Sequence, residues 1–504
     1  MTAAVLLSVF LVSSASPAAS TDSAKRDGVP RIEFRASKTL GLWNFMESIS
    51  RSEGTLKSSE ALREIFERSR FNTPQRRKLL EEFHDIQDHY FRYGFHFSDY
   101  PEARDETNWN VSASFDLQSA KSGDLDDFYG RTGQTLPPSE HRRMFSIVRS
   151  FVPVYEELIW KPSAAKLNRH LKALKRAVER SNIQGIFFGK AIKFYHGTWP
   201  GNESITVYLC PVPKGEMQYA TIIDDSVLDQ AFLGAKGADR AFRDLSDDFH
   251  EICHGIYESE SVEFQRDMDQ WFKSAEPSPY GAYAYRVINE TLATAIGNGL
   301  VYRLLTGADR KDPWYYDETG EINAFARGLY PMVLDYWNNG RPLDKDFVIR
   351  SVEKYKELFP NAEFAYSQLL SGAILMTDSV VMKSDEAATV FEDVFGLHVS
   401  RRGSPIADED TLADFRSAPQ GLAFMLIVSD KGIGQLDALK GILPEMLNWK
   451  KRFPASGSWV FSALGVGRRP VLIFKAGSPA EFKELLTKLK EDKFIQPDGK
   501  LVKL

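Results

Sequence analysis

The stretch SDDFHEICHGIYES, Ser246 to Ser259, contains His250-Glu251-Ile252-Cys253-His254. Stepping 100° per residue along a helix puts Phe242, Leu245, Phe249, Ile252 and Ile256 within an arc of about 80°, the buried stripe of an amphipathic helix. His250 and His254 then lie about 40° apart and one turn apart along the axis, flanking that stripe without joining it. Glu251 lies further round, beside both. Two imidazoles at i and i+4 can reach one metal ion, and the glutamate between them can address a water on that ion. Cys253 falls between the stripe and the histidines, a position for packing rather than ligation. The bland alternative is an ordinary helix carrying two spare histidines.

A catalytic zinc site uses three protein ligands and leaves one position open. Glu258 shares the helix face but cannot be the third ligand, because i, i+4 and i+8 span about 12 Å along the axis. The ligand must come from another element. Glu290, in VINETLATAIGNGL, is the candidate. On its own helix it shares a face with Ala293, Thr294, Gly297 and Val301, most of them small enough to let two helices approach closely.

The pair of segments, His250-Glu251-x-x-His254 followed by Asn289-Glu290-x-Leu292-Ala293, resembles the gluzincin branch of the zinc metallopeptidases. The resemblance is at motif level and covers roughly residues 205–305. It implies a zincin-like core, one Zn2+ per chain on His250, His254 and Glu290, and Glu251 as general base. The activity it implies is zinc-dependent peptide-bond hydrolysis with a metal-activated water, on a peptide or protein substrate. An extended substrate would pair with a strand edge beside the active helix, and SITVYLCPVP is the expected edge. An oxyanion-stabilising group is expected from Tyr330, with Tyr336 and His196 as further candidates. Two departures stand out. His254 and Glu290 are 36 positions apart, longer than in the commonest gluzincins. Thr294 stands where several members carry an aspartate that orients a zinc histidine, so the outer support of the site must be built differently or the site is weakened. Two other readings are a non-catalytic secreted or envelope binding protein keeping a zincin-like fold, and a zinc hydrolase of non-peptide amides or esters.

Around this centre the texture changes twice. Residues 35–182 read mostly as amphipathic helices, interrupted by a Gly-, Ser- and Asp-rich stretch at Asn110–Glu140 expected to be a loop or linker. IFFGKAIKFYHGTW and SITVYLCPVP read as strands around a turn. Beyond about Glu386, GLAFMLIVS, SGSWVFSALG and RRPVLIFKAG read as strands, QLDALKGILPEMLNWKKRF as a helix, and SPAEFKELLTKLKEDK as a helix opened by Ser478-Pro479. The expected fold is α+β, multidomain and predominantly helical. Its expected divisions are a signal peptide at 1–20, a helical N-terminal region at 21–185, a zincin-like domain at 186–385 and a small α/β module at 386–504.

At 504 residues the chain is long enough for several cores. Its formal charge of −6 argues against a nucleic-acid partner, which calls for a basic excess. The apolar run Ala3–Val12, followed by small residues, reads as a secretory signal, and no later run reaches the length of a membrane span. The expected location is secreted or periplasmic. The two cysteines, Cys210 and Cys253, form no disulfide scaffold and are either one pair or two small buried hydrophobes.

Overall fold

The computed structural model describes residues 30–504 except 52–58, 92–93, 96–108, 200–203, 214–218, 234–239, 276–279, 316–319, 371–372, 396–400 and 419–421. The run read as a secretory signal lies outside the described residues. No described helix is long and apolar enough to cross a membrane.

The fold is α+β and predominantly helical, with two mixed sheets. The first sheet comprises β1 (Arg31–Ala36), β2 (Ser204–Val212), β3 (Tyr219–Ile223) and β4 (Ser226–Phe232), in the order β1-β2-β4-β3. β1 and β4 flank β2 in parallel, and β3 closes the order antiparallel to β4. The strand period of two splits its side chains. Ile205, Val207 and Leu209 of β2 join Val227 and Ala231 of β4 in one large core. Tyr208, Cys210 and Leu228 pack on the other face against Leu40, Leu117 and Ala120.

The N-terminal helices α1 (Lys38–Ser50), α2 (Pro74–Tyr90), α3 (Val111–Lys121) and α4 (Pro138–Tyr155) bury a mainly aromatic core. Trp43 is its centre, edge-on to Phe83 and Phe128 and stacked on Phe115. Next come α5 (Lys161–Ser181) and α6 (Ile183–Phe194), then α7 (Arg240–Glu258), α8 (Tyr280–Ala293) and α9 (Glu321–Asn339). All five contribute to the large core, as does Phe34 of β1. That core therefore draws on residues well before 186.

The second sheet holds β5 (Ala373–Thr377), β6 (Arg401–Gly403), β7 (Ala423–Val428), β8 (Trp459–Leu464), β9 (Pro470–Lys475) and β10 (Lys500–Lys503), in the order β10-β8-β9-β7-β5-β6. Apolar clusters cover both of its faces, which explains why its inner strands read as unbroken hydrophobic runs. The helix Pro479–Asp492 starts as read, with the Ser478 hydroxyl accepting from the Glu481 N–H.

Four local expectations are corrected. Asn110–Glu140 is not a loop, for it holds α3 and the helix Leu125–Arg131. Its serines turn inward, Ser119 donating to the Asp116 carbonyl at 2.7 Å and Ser122 to Gln118 at 2.6 Å, so a polar sequence is buried as a helix. The aromatic run from Ile186 is not a strand but part of α6, and its buried residues Ile183, Phe187, Phe188, Ala191 and Phe194 keep helical spacing. SITVYLCPVP is a strand, β2, but an inner one, because β1 pairs with it from across the sequence. The edge beside α7 is β3. QLDALKGILPEMLNWKKRF forms tight 3-10 turns over Gly432–Gly441 and a short helix at Met446–Trp449, since Gly434, Gly441 and Pro444 deny it a continuous helix.

Candidate metal centre

α7 forms where the apolar stripe predicts it. Leu245, Phe249, Ile252 and Ile256 are fully buried, and His250 and His254 are buried beside them. α8 continues past Ala293 in wide turns over Thr294–Val301 and regains normal pitch to Thr306. Gly297 sits where the two helices touch. A Cβ there would lie 2.4 Å from the His250 backbone nitrogen and 2.5 Å from its Cα. Only glycine permits this approach, and the approach brings Glu290 to the histidines.

Three ligand atoms converge. His250 Nε2 and His254 Nε2 are 3.0 Å apart, and Glu290 Oε2 is 3.3 Å from the first and 3.6 Å from the second. A tetrahedral ion with bonds near 2.0–2.1 Å has ligand–ligand edges of about 3.3 Å. The triangle brackets that value. Among the described residues it is the one grouping of three or more His, Cys, Asp or Glu side chains fit to hold a metal.

The histidine tautomers follow from their outer partners. Asn298 donates through Nδ2 to Asp247, which turns its Oδ1 toward His250 Nδ1 at 2.8 Å. Asn289 Oδ1 stands 3.0 Å from His254 Nδ1. Both amide oxygens accept, so each neutral imidazole carries its proton on Nδ1 and presents a bare Nε2 lone pair. Glu290 Oε2 is itself buried with no hydrogen-bond donor among the described residues. Two lone pairs and a carboxylate oxygen pointed at one another require a cation between them. The donor set, two imidazoles and one carboxylate, fits zinc.

Without a metal, a proton takes that place. Burial disfavours the imidazolium of His254, yet the Glu290 carboxylate outweighs it and holds this pKa up to about 10. Burial likewise opposes the Glu290 anion, and the two histidines overcome it, driving its pKa far below the usual carboxylate range. Glu251 behaves differently. Its Oε1 is 4.0 Å from His250 Nε2, outside the triangle, and burial outweighs the attraction of both histidines to push it up to about 7.

The other expected residues are dispersed. Tyr330 is buried on α9 against Trp314, and the charged groups it meets are Asp309 and Arg303. Tyr336 binds Asp344 and Asp346 and accepts from Arg341. His196 contacts the Leu343 carbonyl through Nε2 at 2.8 Å and stacks on Phe264. Thr294 is buried, and its hydroxyl reaches neither histidine.

The sequence reading does not single out several residues found here. Arg310, itself buried, meets Asp247 at 3.0 Å, completing a line from His250 through Asn298 and Asp247. Tyr315 stacks on the His250 ring at 5.9 Å. On β3, Ile222 occupies the space over Gly255 of α7. Burial pushes Tyr219 of the same strand up to about 12, and the charges of Glu251 and Glu290 add to it. Neither tyrosine carries a sequence signal, because each is brought in by a connection outside the two motif helices. Cys210 and Cys253 are separate free thiols, buried in clusters on opposite faces of the first sheet.

No family model, no curated protein and no solved structure matches the chain.

Proposed function

We propose that this chain is an exported zinc peptidase of gluzincin type, built on a zincin-like core. The observation that carries the reading is the triangle of His250 Nε2, His254 Nε2 and Glu290 Oε2, with Glu251 next to it and outside it. A spare-histidine helix has no reason to aim two lone pairs and a carboxylate at one point. A binding protein has no use for a second carboxylate, Glu251, beside them with its pKa pushed up to about 7.

A zinc ion bound there supplies Lewis acidity, making a water nucleophilic near neutral pH and polarising a substrate carbonyl. The chain's own residues do the rest. Asn289 and Asn298 hold the two imidazoles in the tautomer that ligates. Glu251, with a pKa near the operating range, accepts a proton and returns it to the leaving amine. β3 offers the strand edge along which an extended peptide pairs. Tyr315 and Tyr219 flank the centre and take the oxyanion-stabilising role expected of Tyr330.

The test is hydrolysis of an unbiased peptide library by the zinc-loaded wild type and by Glu251→Gln. Cleavage by the wild type, with zinc retained but cleavage lost in the variant, supports the proposal. Peptides left intact by a zinc-loaded wild type, with esters or amides cleaved instead, would move the substrate to non-peptide bonds. Inertness toward all of them would leave a zinc-bearing binding protein.

A further inference from the structure

The amide of Asn298 decides which nitrogen of His250 is bare, and nothing in the amide itself fixes which way it faces. Its oxygen and nitrogen ends are alike in size, so the partner on its far side tells them apart. That partner is Asp247. A single oxygen of Asp247, Oδ1, takes both Asn298 Nδ2 and Arg310 Nη1, the second at 3.0 Å. A guanidinium only donates, and an oxygen that accepts twice is that of an ionised carboxylate. The carboxylate therefore draws the Asn298 nitrogen to itself and leaves Oδ1 facing His250 Nδ1 at 2.8 Å. A neutral carboxyl could donate instead. The amide would then be free to turn round and offer its nitrogen to His250 Nδ1. The imidazole would accept there and carry its proton on Nε2, the atom that must be bare to bind a metal.

The charge on Asp247 thus governs the tautomer of a ligand, and the surroundings work against that charge. Burial pushes the Asp247 carboxyl up and Asp244 adds to the push, while Arg310 is the largest influence in the other direction, followed by His250. The neighbouring charges are engaged elsewhere. Asp244 meets His170 and Arg240 at 3.0 Å each, and Arg243 meets Asp312 at 3.4 Å. Arg310 is 7% exposed and lies between two carboxylates, with Asp312 Oδ2 at 3.3 Å from its Nε.

The segment that carries Arg310 is itself pinned. Its carbonyl accepts from Trp314 Nε1 at 3.0 Å, and the Trp314 N–H donates to Asn323 Oδ1 of α9 at 2.9 Å. The Trp314 ring fills the space over Gly299, in the wide turns that continue α8, where a Cβ would stand 2.8 Å from it. Tyr315, the next residue, is the ring stacked on His250. We propose that Arg310 is a positioning residue of the zinc site: by holding Asp247 as an anion it fixes the Asn298 amide, and so keeps His250 Nε2 bare for the metal. The proposal rests on the zinc reading above and assigns Arg310 a part in it at three removes from the ion.

The test is made on the full-length protein with two readouts. Zinc affinity is measured by competition against a chelator, and the His250 tautomer by NMR of the metal-free protein labelled with 15N-histidine, its signals assigned with His250→Gln. Arg310→Met should weaken zinc binding about 10- to 100-fold, the range for loss of outer support to a metal ligand, and should move the His250 proton from Nδ1 toward Nε2. Arg310→Lys, which keeps the charge, should recover most of the affinity. In an Asp247→Asn background, where there is no anion left to hold, Arg310→Met should cause little further loss. Arg310→Gln, neutral but able to hydrogen-bond, replaces Arg310→Met if the latter does not fold. An equal loss of affinity in both backgrounds would make Arg310 a packing residue and overturn the proposal. So would a His250 proton that stays on Nδ1 in folded Arg310→Met, or a lysine that does no better than methionine. Failure of the zinc reading shows separately, as a wild type that takes up no zinc, and it would take this proposal with it.

Discussion

Replacing Gly297 with alanine places one methyl at the closest approach of the two ligand-bearing helices. That Cβ would stand 2.4 Å from the His250 nitrogen, against 3.4 Å for the lower end of ordinary contact, so the helices must part by about 1 Å. The opposing atoms are His250 N, Cα and Cβ, so no flexible side-chain end can turn aside. The push falls on His250, whose Nε2 is one corner of the proposed metal triangle. Parting by about 1 Å would stretch the His250–Glu290 edge from 3.3 Å to roughly 4.3 Å, well beyond the edge of about 3.3 Å that a tetrahedral zinc spans. Overpacking of this kind costs about 1–3 kcal/mol of stability. If a comparable amount is charged to zinc binding, affinity falls about 10- to 100-fold, since about 1.4 kcal/mol is tenfold. The assay is competition for zinc against a chromophoric chelator, alongside thermal unfolding of the metal-free protein. Unchanged zinc affinity together with an unchanged melting temperature would refute the close-packing account of the site.

Asn298→Ala removes the acceptor for His250 Nδ1 and should weaken zinc binding about 10- to 100-fold in the same competition assay. Glu251→Gln should keep zinc at full stoichiometry and lower kcat by about 10²–10⁴, the range for loss of a general base. In the metal-free protein the His254 pKa is raised, so its contribution to stability is complete below about pH 6.5 and is lost as pH rises through about 10. The Glu290 pKa is depressed, so its contribution is present above its unfolded value and is lost in acid. Metal-free unfolding should therefore show a stability maximum between about pH 4.5 and 6.5 and a decline toward pH 10, whereas the zinc-loaded protein should hold its stability through that decline. A pH-independent melting temperature in the metal-free protein would contradict the proton-for-metal exchange. Tyr315→Phe should lower kcat by about 10²–10³ with zinc retained, and an unchanged kcat would remove Tyr315 from the oxyanion role.

The two helices of the site were legible because their evidence is local. The stripe from Leu245 to Ile256 has helical period, and the small residues after Glu290 mark a close crossing. The outer support was not legible. At 100° per residue Asn298 would lie about 80° round from Glu290, off the ligand face. The wide turns over Thr294–Val301 carry it back toward that face, where it takes the position left open by Thr294. The edge strand was misread for a topological reason. β2 looks like an edge in its own neighbourhood, and its burial depends on β1, which arrives from residues 31–36. The region 110–140 failed on composition, because buried serines that bond their own helix look like loop formers when counted by type. In the C-terminal sheet the strands were plain, since burial on both faces leaves hydrophobic runs that need no distant partner to be recognised.

The most direct test of the central claim is elemental analysis of zinc in the purified wild type, His254→Ala and Glu290→Ala, each supplied with zinc and then dialysed. The account predicts one zinc per folded chain in the wild type and none in either variant. A wild type that emerges folded and free of zinc would contradict it, as would a Glu290→Ala variant that holds zinc as tightly as the wild type.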